Sequence, residues 1–111
     1  MEYTDLLLNH SILSQVNLNL ATIDNFDYNI FDLNELIETQ TMTFMSVEIF
    51  SRLDYFNENI LNEERLINFV NKVTKGYDRN VTYHNDLHAA DVLQTAYVVI
   101  RKSETLKVII L

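Results

Sequence analysis

The sequence predicts an all-α, multi-helical fold. Its 111 residues contain no proline and a single glycine, Gly76, so the turn residues that hairpins and all-β folds rely on are missing. Apolar residues recur at helical spacing through most of the chain, and strict alternation is confined to one short stretch.

Taken in order, Leu6 to Leu13 has a helical pattern, whereas Val16 to Ile23 alternates apolar and polar residues like an extended piece. Asp32 to Glu38 is a short helix with Leu33, Leu36 and Ile37 facing inward. Met42 to Tyr55 is a second, with Met45, Ile49, Leu53 and Phe56 on one stripe and Phe44 and Val47 beside it. The clearest helix is Glu63 to Lys75. Asn62 supplies its cap, Glu63 and Glu64 suit the positive end of the dipole, and Leu66, Ile67, Phe69, Val70 and Val73 share a face. Gly76 follows as a left-handed stop. A further helix runs from about Asp86 to Arg101, its buried stripe read as Ala89, Val92, Leu93, Ala96, Tyr97 and Ile100. Ser103 and Glu104 then open a last helix, LKVIIL, which ends before completing its second turn, so the chain reads as cut short.

Composition narrows the function classes. Hydrophobic residues at 48% and charged residues at 22% argue against disorder. A net charge of -8 without a basic cluster opposes binding to nucleic acid or to anionic membranes. The apolar C-terminal stretch is interrupted by Arg101, Lys102, Glu104 and Lys107, so no membrane span is expected. There is no cysteine, which leaves His, Asp and Glu as metal donors. The N-terminus MEYTDLLLNH has acids where a signal peptide needs basic residues, and a soluble cytoplasmic protein is the expectation.

The stretch that carries chemistry is YHNDLHAADVLQ, Tyr83 to Gln94. His84 and His88 are four apart, and two readings fit that spacing. On one continuous helix they share a face and chelate an ion; alternatively Asn85 or Asp86 caps a helix, with His84 just outside it and His88 solvated in its first turn. Two imidazoles do not complete a zinc site, which needs three or four donors. Beside a helix N-terminus, a cationic His84 needs a carboxylate partner from elsewhere in the fold, since Asp86 is occupied as a cap. Asp91, three residues after His88, either orients that imidazole or faces solvent. His10 has no supporting neighbours and reads as a surface residue. Tyr77 and Tyr97 read as core or boundary aromatics.

In the combination of Tyr83, His84, Asn85, His88, Ala89, Asp91, Val92 and Gln94, this stretch resembles the signature of the class I 3′,5′-cyclic nucleotide phosphodiesterases. FDYNIFDLNEL, FSRLDYF and NEERLINFVNKVTKGYDRNVTYHN resemble, in the same order, that family's N-terminal helical subdomain. The resemblance runs from about Asn25 to Leu111. It implies an incomplete portion of a phosphodiesterase/HD-type catalytic domain over residues 25–111, preceded by an extension over 1–24.

The resemblance further implies a two-metal hydrolase, with zinc and magnesium sharing a hydroxide that attacks the cyclic phosphate of cAMP or cGMP. By position, His84 matches the general acid, His88 a zinc ligand and Tyr83 an aromatic beside the substrate, with Asn85 and Asp91 in support. The remaining metal donors, the carboxylate partner of the acid and the purine-gripping Gln come from further along the family's sequence, so the 111 residues alone are expected to be inactive. Thr82 stands where the family usually has proline, which loosens the approach to His84. A non-catalytic helical module that self-associates through exposed apolar surface, and a degenerate gene fragment, are the alternative readings.

Overall fold

The structure, a computed structural model, describes residues 2–82 and 84–110, the stretch 105–110 by backbone alone. All regular structure among the described residues is helical: α1 (Tyr3–Leu8), α2 (His10–Leu20), α3 (Ile30–Ile37), a 3-10 turn (Glu38–Gln40), α4 (Thr41–Arg52), α5 (Glu63–Lys75) and α6 (Asp86–Ile110). The all-α expectation holds.

α4 is the central element. Residues 41–46 are buried all round, including Thr41, Thr43 and Ser46, because α5 and α6 both pack on this helix and Tyr3 of α1 lies 4.7 Å, ring to ring, from Phe44. Two of its buried hydroxyls find partners: Thr43 Oγ1 donates to Asn71 Oδ1 of α5 at 2.8 Å, and Thr41 Oγ1 to the Glu38 carbonyl at 2.6 Å. α5 has the expected bounds, with Asn62 Oδ1 accepting from Arg65 N at 3.0 Å.

Several elements differ from the sequence reading for identifiable reasons. Val16 to Ile23 is not extended: Asn9 caps α2, its Oδ1 accepting from Ile12 N at 3.1 Å, and Val16 and Leu20 are buried as an i,i+4 pair while Leu18 faces out. The apparent alternation was a helical pair with one exposed leucine between. In α5, Phe69 is 63% exposed and Thr74 takes the inward place. Gly76 is right-handed, φ -76°, and closes the helix by donating to the Val73 carbonyl at 3.0 Å. A Cβ at Gly76 would meet that same oxygen at 3.3 Å, so tightness favours the glycine, not a left-handed turn.

α6 departs most. Its backbone continues without a break to Ile110, so Ser103 and Glu104 do not open a separate helix; the side chains of LKVIIL lie outside the described residues. Its buried face is Asp86, Ala90, Gln94, Tyr97 and Val98, whereas Val92 and Ile100 are 54% and 48% exposed. Polar anchors set that face. Gln94 Nε2 donates to the carbonyls of Ile23 and Asn25 at 2.9 and 2.8 Å. Tyr97 Oη donates to Asp24 Oδ1 at 2.6 Å and accepts from Arg101 Nε at 3.1 Å. Arg52 of α4 reaches the same turn, donating to Asp24 Oδ2 at 2.7 Å and the Leu20 carbonyl at 3.1 Å.

One stability prediction concerns the α6 anchors and a second the partly buried phenol of Tyr28. Gln94→Leu leaves two loop carbonyls without their donor and should cost about 1–3 kcal/mol in urea unfolding; no loss would show that the apolar contacts alone hold α6. Burial, with the charge of Glu48 adding to it, raises the Tyr28 pKa above the usual phenol value, and its hydroxyl donates to Asn19 Oδ1. A group whose pKa is raised on folding contributes stability that is complete below the unfolded value and is lost as pH climbs through the folded one. The urea midpoint should therefore fall above about pH 10, the unfolded phenol value, and Tyr28→Phe should flatten that fall.

Candidate functional site

The loop between α5 and α6 and the first turns of α6 carry the candidate chemistry. Asn85 is the cap of α6: its Oδ1 accepts from the His88 backbone N at 2.9 Å, and its Nδ2 donates to the Val81 carbonyl at 2.9 Å. His84 consequently precedes the helix and is exposed, while His88 sits exposed in the first turn. The continuous-helix chelating arrangement is not formed. The second sequence reading, with a cap between the two histidines, is the one observed, and Asn85 is the residue that supplies it.

Asp86 does not cap. It is buried, its side chain 2% exposed, and both carboxylate oxygens face the Arg79 guanidinium. Arg79 Nε donates to Asp86 Oδ1, and Nη2 donates to Oδ2 at 2.8 Å. The same guanidinium reaches α3, with Nη1 donating to Asn34 Oδ1 at 2.8 Å and Nη2 to the Glu38 carbonyl at 3.1 Å. Glu38 has φ 49°, a left-handed conformation for a side-chain-bearing residue at the junction of α3 and the 3-10 turn. Arg79 thus ties a strained junction to the N-terminus of α6. Sequence reasoning took Asp86 for a cap and missed Arg79 and the pairing; the available signal was an arginine seven residues ahead of an acid at a helix start.

Two grooves flank the loop. One, about 310 Å³, is lined by Tyr77, His84, Asn85, His88, Ala89 and Val92. The other, about 270 Å³, is lined by Ile30, Phe31, Thr82, Asn85, Leu87, His88 and Asp91. Asn85 and His88 form the ridge between them, and both histidines open on the first groove. Asp91 is exposed and makes no hydrogen bond to His88 among the described residues. Tyr83 lies outside the described residues. His10 is exposed, as expected.

No group of three or more His, Asp or Glu side chains placed to hold a metal ion occurs among the described residues. Two imidazoles on one groove fall short of the three or four donors that zinc requires, so these residues do not make a metal centre by themselves. No helix among the described residues is long and apolar enough to cross a membrane.

Comparison with known proteins places the chain. It is 36% identical over 84 residues, 73% of its length, to the 3′,5′-cyclic-AMP phosphodiesterase 4 of Dictyostelium discoideum. It is 31% identical over 85 residues, 76% of its length, to the dual specificity calcium/calmodulin-dependent 3′,5′-cyclic nucleotide phosphodiesterase 1C of Mus musculus. It is also 31% identical over 70 residues to the high affinity cAMP-specific and IBMX-insensitive 3′,5′-cyclic phosphodiesterase 8 of Drosophila melanogaster. These alignments cover 8%, 12% and 8% of the respective relatives, so the chain spans about a tenth of their length. No family model and no solved structure matches. The matched segment belongs with the cyclic nucleotide phosphodiesterases.

The Arg79–Asp86 pair gives an asymmetric prediction. Arg79→Ala leaves a buried carboxylate unpaired and should cost about 3 kcal/mol in urea unfolding. Asp86→Ala leaves a guanidinium that is one-third exposed and still bonded to α3, so the loss should be smaller. Equal losses would contradict the burial asymmetry.

Proposed function

We propose that this segment serves the hydrolysis of a 3′,5′-cyclic nucleotide, as the helical part of a phosphodiesterase that carries the acid and one metal donor. The observation that carries the reading is the placement of His84 and His88 on one groove, separated by a cap that gives them different backbone settings. A histidine on a loop suits proton delivery to the 3′ oxygen as the cyclic ester opens. A histidine on the first turn of a helix suits a fixed ligand position. Tyr83 is assigned to substrate binding and Asp91 to the support of His88.

Zinc and magnesium are the ions this reading carries for the complete domain, with His88 one donor among several. The cyclic nucleotide is its substrate class, cAMP or cGMP, and the cytoplasm its location. Because two imidazoles are an incomplete donor set, the 111 residues alone should not turn over either nucleotide.

The test is a graft in which the Dictyostelium relative carries this segment in place of its own. Cyclic AMP hydrolysis should persist in the graft, and His84→Ala should lower kcat by about 10²–10⁴. An active graft indifferent to His84→Ala would remove the acid assignment, and an inactive one would count against the whole reading. A second reading rests on the exposed Val92, Val99 and Ile100 of α6: a non-catalytic module that pairs with itself through this face. Sedimentation showing a concentration-dependent dimer that Val99→Glu abolishes would favour it, and a monomer at all concentrations would end it.

A further inference from the structure

We infer that Arg79 and Asp86 are positioning residues for the two histidines, a clasp that fixes the loop bearing His84 against α3. This rests on the phosphodiesterase reading for its consequence and on the observed geometry for its mechanism.

The two members bracket the loop in sequence. Arg79 precedes it and Asp86, the first residue of α6, follows it, so their bidentate contact closes residues 80–85 into a short ring. Asn80 N at the start of the ring donates to Asp78 Oδ1, just outside it, at 2.9 Å, and within the ring Asn85 Nδ2 donates to the Val81 carbonyl at 2.9 Å. The imidazole of His84 makes no hydrogen bond among the described residues and is exposed. Its position is therefore inherited from the backbone, and the backbone is held by the clasp. His88 is tied in through Asn85, which accepts from its amide.

An ion pair with one buried member is a poor device for stability alone. Taking the Asp86 carboxylate out of water offsets much of its attraction to the partly exposed Arg79, and apolar side chains of the same size commonly hold a fold as well or better. What a planar fork with four directed bonds does supply is geometry: one arrangement of loop, α3 and α6 satisfies it. Side chains that act on a substrate need such restraint, since displacement by about 1 Å can cost a hundredfold in rate.

In the full 111-residue chain, Arg79→Met combined with Asp86→Leu replaces the pair by apolar side chains. Thermal stability and helical circular dichroism should be kept, while amide hydrogen exchange across residues 80–88 should accelerate at least about tenfold relative to α4 and α5. Arg79→Lys, which keeps the charge but not the fork, should fall between; if the double variant does not fold, this variant decides by the same readout. In the grafted relative, the double variant should lower kcat by about a hundredfold with KM little changed. Unchanged exchange overturns the clasp, and unchanged kcat in an active graft overturns its positioning role. An inactive unsubstituted graft would instead refute the phosphodiesterase reading, with the exchange comparison still deciding whether the clasp exists.

Discussion

The rotational setting of α6 is the constraint on which the rest of the structure depends. Its 25 residues carry apolar side chains around much of the circumference, and several settings would bury comparable hydrocarbon. Val92 and Ile100 are already about half buried, so turning them fully inward would gain only about 1 kcal/mol each. The same rotation would strip the Gln94 amide from two carbonyls, the Tyr97 hydroxyl from Asp24 and the Asp86 carboxylate from Arg79. Each buried polar group left without a partner costs about 1–3 kcal/mol, more where it is charged. The polar set wins because its members act together and all lie on one face.

That setting determines what the start of α6 presents. With Asp86 turned into the protein, His88, two residues on, is turned out. Asn85 satisfies the amide of His88 and leaves His84 outside the helix. The histidines therefore share a groove without sharing a helix face, and their separate backbone settings are what make separate chemical duties reasonable. The net charge of -8 surrounds a loop whose cation, the partly exposed Arg79, is bonded to Asn34 of α3 and to Asp86.

Much of the fold was legible from local rules. α5 could be read to the residue because a cap, an acidic first turn and an amphipathic face agreed. α2 was misread because Leu18, exposed between the buried Val16 and Leu20, mimics period two. The face of α6 was misread because hydrophobicity was taken as the guide when hydrogen bonding decided. Gln94 stood out in the sequence only as part of a resemblance, and nothing local announces partners at Ile23 and Asn25, some 70 residues earlier. For the site, the two histidines and the cap between them were legible from spacing. The Arg79–Asp86 clasp was not, since an aspartate at a helix start is ordinarily read as a cap.

The most direct measurement of the central claim is a nuclear Overhauser spectrum of the isotopically labelled chain, read at the Gln94 side-chain amide. If polar anchoring sets α6, those amide protons will show contacts to Ile23 and Asn25 and slow exchange with water, while the Val92 and Ile100 methyls will show few contacts to α4. A spectrum in which the Gln94 amide exchanges freely and the Val92 and Ile100 methyls contact α4 would contradict the account.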